Sequence, residues 1–529
     1  MFHADLKRFK QIQQIFLKKS NKICPNLHEK KLKEKNLVPL SLCGIKKIKN
    51  MKKKSIIAIL IFCISLTGSA QKIYDVKKYG AKGDGKTNDA AAIQKAIDEC
   101  SKTGGRVLIP APFTFLTGPF DVKSRVDLHI EAGAKLLASP DEKLYTKSAF
   151  RTNPGEGTIW IGGENIEDFT ISGSGKIDGN GISFMGAEED DAYVLKPFNV
   201  LDPRPHVLTI IGGKNIRIKD VHIGNSAYWT VHLIGCNDVV ISGITLLNSL
   251  KVRNSDGIDL DHSKNVRISD CYIESGDDCI CLKNRREFEE FGACENITVT
   301  NCTMTSSSCA IKIGSENMDA IRQVVFNNCI IKNSNRALGI QNRDEGTVSD
   351  VIFSNIIIES KLNTDTWWGK AEPIYVTAFS RAKGNHKDAN WRFPKGATEG
   401  KVGEIKNIYF SNIQCTGENG VFVSGESKDK IKNIVFENVS VFIDKTTSFP
   451  GGLYDRRPAN VDGFVKGSTS GFYFDSAESI KVQNCTVQWG KNRPDYFKHA
   501  VESKNVDVLK VINLDGESAF PAKLEAVKK

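Results

Sequence analysis

From Asn296 the chain reads NITVTNCTMTSS, two short runs of alternating apolar residues with a bend at Asn301 between them. Alternation with a period of two marks a half-buried strand, and an Asn between two such runs marks a turn. The same unit occurs earlier as NIEDFTISG from Asn165, NIRIKDVHIGNS from Asn215, NDVVISGITLLNS from Asn237 and NVRISDCYIESG from Asn265. It returns as QVVFNNCIIKNS from Gln323, DVIFSNIIIES from Asp350, NIYFSNIQCT from Asn407, NIVFENVSVFI from Asn433 and IKVQNCTVQW from Ile480. Most successive repeats are spaced roughly 22 to 31 residues apart, the period of a solenoid coil. One unit cannot bury its own apolar face, whereas stacked coils share a continuous core of Ile, Val, Phe and Cys. The sequence therefore predicts an all-β fold, a right-handed parallel β-helix. A leucine-rich repeat would need Leu at fixed offsets and helical returns, and has neither here. The recurring asparagines read as turn residues whose amides satisfy neighbouring backbone.

Upstream of the repeats lies YDVKKYGAKGDGKTNDAAAIQKAIDEC, Tyr74 to Cys100. Asp84-Gly85 marks a turn, and Thr87-Asn88-Asp89 offers caps for an amphipathic helix from Ala90 to Cys100. That helix would close the N-terminal end of the solenoid and hide its open edge. GGRVLIPAPFTFLTGPF then reads as the first coil. Downstream, residues 360 to 402 break the repeat with Trp367, Trp368 and Trp391, and a loop of that length usually lies over a binding face.

The formal charge of +11 suggests nucleic acid until its position is considered. Of 73 basic and 62 acidic side chains, 16 and 3 fall in residues 1–70, so the remainder is near neutral at 57 against 59. No nucleic-acid partner is expected from such a body. Lys52 to Lys54, the apolar run Ile56 to Leu66 and Gly68-Ser69-Ala70 form a signal peptide if translation starts at Met51. Residues 1–50 then read as a mis-called upstream extension, residues 51–70 as the leader, and 71–529 as a single secreted or periplasmic β-helix domain. The apolar run is too short for a membrane anchor. Of 14 cysteines, three precede residue 71, leaving 11 in the body, an odd number that requires a free thiol. Their strand contexts make them core residues, and no pair has zinc-site spacing.

Between Asn248 and Lys283 the chain is dense in carboxylates: NSLKVRNSDGIDLDHSKNVRISDCYIESGDDCICLK. Asp256 and the pair Asp277-Asp278 are separated by about one coil, so stacking would set them side by side. Crowded carboxylates repel, and one member of such a group holds a raised pKa. Glycoside hydrolysis uses that arrangement, a protonated acid for the leaving oxygen and an ionised base for water. Turn-ending or calcium-binding aspartates are the alternative. No Gly-rich phosphate loop, HExxH or serine elbow is present.

NSDGID from Asn254 and SGDDCICLK from Ser275, with RPHVLTI from Arg204, NSAYWTVHLIGC from Asn225 and IKIGSE from Ile311, resemble the polygalacturonases of glycoside hydrolase family 28. The likeness covers nearly the whole body, although the Tyr74 opening is shared with pectate-lyase-like β-helices. It implies an inverting hydrolase with Asp277 as general acid and Asp256 and Asp278 activating water. Asn254 matches the Asn of the family's Asn-Thr-Asp motif, and Ser255 stands where Thr is usual.

The departures concern the substrate. NCTMTSSSCAIKIGSE, laid on the family pattern, puts Ser308 at the histidine of its Gly-His-Gly motif. CIIKNSNRALGIQNR puts Gly339 and Gln341 on the Arg and Lys of its Arg-Ile-Lys motif, which hold the substrate carboxylate. Loss of such charge-assisted bonds is worth on the order of 1.5 to 3 kcal/mol each. Lys312, Arg343, Arg253, Arg285 and Arg286 are candidates for a relocated anion site. His232 and Trp229, in Tyr228-Trp229-Thr230-Val231-His232, are candidates for stacking on a sugar, whereas His206 and His262 read as packed side chains. The expectation is a monomeric exo-acting or side-branch hydrolase of an acidic plant polysaccharide or oligosaccharide, without metal or cofactor. A polysaccharide lyase and a non-catalytic carbohydrate-binding solenoid are the competing readings.

Overall fold

Inward-pointing residues of each strand meet their equivalents on the next coil. Phe326, Phe353, Phe410 and Phe436 form one such column, with ring centroids 5.0, 5.0 and 5.1 Å apart and nearly parallel planes. Deleting one ring from a column of this kind costs about 3 to 5 kcal/mol. The computed structural model describes residues 71–151, 155–197, 202–381 and 400–529. Residues 1–50, the leader read at 51–70 and Trp391 lie outside the described residues. Within them the chain is a right-handed parallel β-helix whose main sheet pairs each strand with its counterpart one coil away.

The turns repeat as regularly as the strands. Asn215, Asn265, Asn296, Asn407 and Asn433 all take positive φ, a left-handed conformation that Asn tolerates better than other residues with a Cβ. Their amides bond the equivalent side chain on the preceding coil rather than backbone: Asn265 Nδ2 donates to Asn237 Oδ1 at 2.8 Å and Asn433 Nδ2 to Asn407 Oδ1 at 2.9 Å. A second ladder runs along the neighbouring turn, with Asn438 Nδ2 on Asn412 Oδ1 at 2.8 Å.

The N-terminal helix spans Ala90–Thr103 and buries Ile93, Ala96, Ile97 and Cys100 against the first coils. Asp89 makes no side-chain cap. Its carboxylate instead accepts from Lys82 N at 2.6 Å and Gly83 N at 2.9 Å, tying the preceding loop down. The solenoid starts earlier than the sequence suggests, because Ile73–Asp75 pairs with Arg106 to Leu108 and Asp84–Asn88 with the Thr114–Thr117 strand. All eleven described cysteines are buried free thiols.

One outer face carries the chemistry. It is built from Val231–Ile234, Ile258–Asp261, Ile280–Asn284, Cys309–Asn317, Arg336–Asn342 and Ile374–Ala378, paired in that order. Their register lines up His232, Asp259, Cys281, Lys312, Gly339 and Tyr375 in one row.

Candidate active site

Asp256 lies in the turn before Ile258–Asp261, and Asp277 and Asp278 lie in the equivalent turn one coil on, before Ile280–Asn284. Ile258 pairs with Ile280, and Gly257 N donates to Asp278 O at 2.8 Å, which lays Asp256 alongside Asp278. One carboxyl oxygen from each of Asp256, Asp277 and Asp278 lies within 4.8 Å of the other two. The structure thus unites the trio.

Buried hydroxyls and amides hold these turns. Ser275 Oγ and Ser306 Oγ both donate to Asp277 O, at 2.9 and 2.6 Å. Ser255 Oγ donates to Val252 O at 2.7 Å and accepts from Gly276 N at 3.1 Å, so the Ser in place of Thr still joins the two coils. Asn248 Nδ2 donates to Ser255 O at 2.8 Å. Gly276 has to be glycine, since a Cβ there would stand 2.2 Å from Val252 O. Asn248, Ser275 and Ser306 carry no signal in the sequence that separates them from ordinary turn residues.

Three clustered acids cannot all ionise cheaply. Burial, with Asp259, Asp277 and Asp278 close by, pushes the Asp256 carboxyl well above the usual carboxylate range. Burial and the Asp278 charge raise Asp277 to about 6. Asp278 instead meets an ammonium, Lys312 Nζ at 2.7 Å from Oδ2, while its Oδ1 is buried without a protein partner. Beneath the trio, Lys283 Nζ sits 2.9 Å from Asp259 Oδ1 and 3.6 Å from the centre of the Trp229 ring. Burial still holds Asp259 at about 7. The trio is also the group of acidic, His or Cys side chains spaced to hold a cation among the described residues.

Both flanks of the face are covered. On the N-terminal side Ser148 bridges to Thr158, and the Phe150 ring stands edge-on to Trp229 at 5.2 Å with the Arg285 guanidinium 4.2 Å from it. On the C-terminal side the antiparallel hairpin Leu453–Asp455 with Phe464–Lys466 lays Tyr454 on Phe422 at 3.9 Å between centroids. Its Asp455 carbonyl accepts from Tyr375 OH at 2.7 Å and Arg336 Nη2 at 3.1 Å. Arg457 Nη2 donates to Trp367 O at 3.0 Å, and Trp368 N to Ser308 Oγ at 3.3 Å. Between the covers, Arg253, Asn254, Asp277, Lys312 and Trp368 are half-buried.

Other expected site residues lie elsewhere. Arg343 is enclosed, its guanidinium donating to Asn342 O at 2.9 Å, Thr377 Oγ1 at 3.0 Å and Arg456 O at 3.1 Å. It braces adjoining coils and presents no face to a ligand. His232 is fully buried against Trp229, 4.7 Å between centroids, and Trp229 is itself sandwiched by Phe150 and Lys283. Both, expected to stack on a sugar, pack here against the Phe150 ring, at 6.1 Å for His232 and 5.2 Å for Trp229 between centroids. Asn254 is at the rim with φ of 60°, its Oδ1 accepting from Arg204 Nη2 at 3.1 Å and its backbone N–H directed at the Asp277 carboxylate.

A sequence model described as glycosyl hydrolases family 28 matches residues 100–364, half of the chain, and contains every residue of the trio. The chain belongs to glycosyl hydrolases family 28. A second model, rhamnogalacturonase A/epimerase, pectate lyase-like, matches only the opening, residues 73–124. Among curated relatives, a "Probable polygalacturonase" of Vitis vinifera is 32% identical over 267 residues, 46% of this chain and 52% of that protein. The chain spans about half the length of the curated relatives it matches. Two solved structures share the fold: the family 28 exopolygalacturonase of Yersinia enterocolitica and the exopolygalacturonase of Thermotoga maritima. The first has a TM-score of 0.57 and 18% identity over 86% of this chain and 80% of that one; the second has 0.54 and 18% over 83% and 92%.

In this family 28 chain no imidazole stands at Ser308 or one residue on at Cys309, which is buried. Gln341 Nε2 is spent on Arg457 O. Gly339 pairs with Lys312, so the cation on this row belongs to the preceding coil and is bound to Asp278. No helix among the described residues is long and apolar enough to cross a membrane.

Proposed function

We propose that the protein is an exported glycoside hydrolase that removes a terminal or side-branch sugar from an acidic pectic polysaccharide, with inversion. The observation that carries this reading is the clustered trio of aspartates, with the aromatic packing of Phe150 to one side and of Tyr454 to the other, an arrangement that suits a chain end better than a chain interior. Export fits the leader read at 51–70.

Asp277 is half-buried at the rim and holds its proton to about pH 6, which suits the general acid that protonates the leaving oxygen. Asp278, ion-paired with Lys312 and with one buried oxygen left without a hydrogen-bond partner, suits the base that takes a proton from water. Asp256, where burial and acidic neighbours favour the protonated form, positions that water. In a two-carboxylate enzyme a gap near 5 Å accompanies a covalent intermediate. Here the third carboxyl supplies a site for water beside the base, and the ion pair blunts Asp278 as a nucleophile.

The test is digestion of pectic fractions, including rhamnogalacturonan oligosaccharides and galacturonate-capped side chains, with products followed by mass and NMR. Release of one terminal sugar whose first-formed anomer is opposite to that in the substrate is the expected result. An unsaturated, ultraviolet-absorbing product lost in chelator would make the protein a lyase. Binding without any new reducing end would make it a lectin-like solenoid.

A further inference from the structure

Five cations lie near the trio in the sequence, and the structure accounts for four of them. Lys312 is held by Asp278, Arg285 by Glu287 and Glu316 at 3.0 and 3.5 Å, and Arg286 by Glu345. Arg343 is enclosed, its Nη1 and Nη2 donating to carbonyl and hydroxyl oxygens while its Nε is left without a partner. Arg253 differs. Its guanidinium makes no ion pair or hydrogen bond among the described residues, and its Nε is buried without a partner.

This arrangement is costly for a half-buried cation. Arg204 lies close by and adds like-charge repulsion, which together with desolvation holds the Arg253 guanidinium below its usual pKa. Two of the nearby acids are already engaged, Asp202 with Arg204 at 2.5 Å and Asp191 with Thr364 and Thr366 at 2.7 and 3.1 Å, and the third, Glu189, is exposed to solvent. The backbone position is nonetheless fixed, because Arg204 Nη1 donates to Arg253 O at 2.7 Å. Asn254, the next residue, directs its N–H at Asp277. An unpaired guanidinium fixed one residue from the contact to the proposed acid is suited to a planar anion, which its fork can grip with two bonds.

We propose that Arg253 binds the carboxylate of a uronic acid unit seated at the scissile bond, supplying the anion contact that Gly339 and Gln341 cannot make. The proposal rests on the trio being the site where sugar binds and deepens the reading above by assigning the residue that selects an acidic unit.

The test is calorimetric titration of the full chain carrying Asp277→Asn, so that ligand is not turned over, with digalacturonic acid and with its methyl ester. Binding of the acid at least about tenfold tighter than the ester is expected, a difference worth about 1.4 kcal/mol. Adding Arg253→Gln should erase that preference, and Arg253→Lys, which keeps the charge and loses the fork, should retain part of it. An equal affinity for acid and ester in the Asp277→Asn protein overturns the proposal, as does a preference that survives Arg253→Gln. If Arg253→Gln fails to fold, Arg253→Lys is read alone, and an undiminished preference overturns the proposal. Hydrolysis by the unmodified chain is scored separately. Its absence sinks the hydrolase reading and leaves the acid-over-ester comparison standing, whereas hydrolysis without an Arg253-dependent preference sinks only this assignment.

Discussion

Lys312 Nζ stands 2.7 Å from Asp278 Oδ2, and the two side chains come from adjoining coils. The contact ties the trio to the next coil. Lys312→Met would leave a buried carboxylate without its counter-ion, at a cost of about 3 kcal/mol. The expected outcome is a lower urea midpoint at neutral pH and at least a hundredfold loss in kcat/KM, since the base would lose the partner that holds it in place. An unchanged rate would show that Asp278 is not the base.

Asp277→Asn keeps the shape of the side chain and removes its proton. A fall in kcat/KM of about three to four orders of magnitude is expected, in line with loss of general acid catalysis at a positioned site. In the unmodified protein the rate should decline as pH rises through about 6, where Asp277 loses its proton. A rate that stays flat from pH 5 to about 8 would remove Asp277 from the role.

The same raised carboxyls make stability depend on pH. Asp277 and Asp259 are held at about 6 and about 7, above their unfolded values, and Asp256 is raised as well. Between the unfolded and folded values the native state binds more protons, so their contribution is fullest at low pH and is lost as pH rises through the folded values. Asp277→Asn should therefore melt a few degrees higher than the unmodified protein near pH 8 and no higher near pH 4, as followed by circular dichroism. A constant difference across that range would contradict the assigned environment.

Trp368 sits with Lys312 Nζ 5.2 Å from its ring centre and its N–H on Ser308 Oγ. Trp368→Ala removes part of one wall while leaving the trio intact. Its expected signature is KM raised by about tenfold or more, with kcat within a few-fold, the pattern of lost ground-state binding. A fall in kcat alone would place the ring at the transition state rather than at the rim.

Much of the architecture was legible because one period repeats down the chain. NITVTNCTMTSS and its relatives give the strands, and the Asn at each bend gives the turns. The trio was legible for the same reason: Asp256 and Asp278 occupy equivalent places in successive coils. Two things were not. The hairpin Leu453–Asp455 with Phe464–Lys466 has no period, so nothing in it announced that Tyr454 would lie on Phe422. His232 and Trp229 read as outward-facing, and residues far along the chain, Phe150 and Lys283, decide that they are enclosed. Arg343 read as a free cation because the oxygens it satisfies belong to Thr377 and Arg456, far along the chain.

The asparagine ladders constrain how such a molecule can change length. Each rung pairs with the rung before it, Asn433 with Asn407 and Asn438 with Asn412, so a residue inserted within a turn would unhook that amide from the rungs on either side. Extra chain can enter between rungs, as it does from Leu362 to Glu372, or as a complete new storey. The walls that decide which sugars enter can thus be rebuilt while the turn bearing Asp277 stays in place.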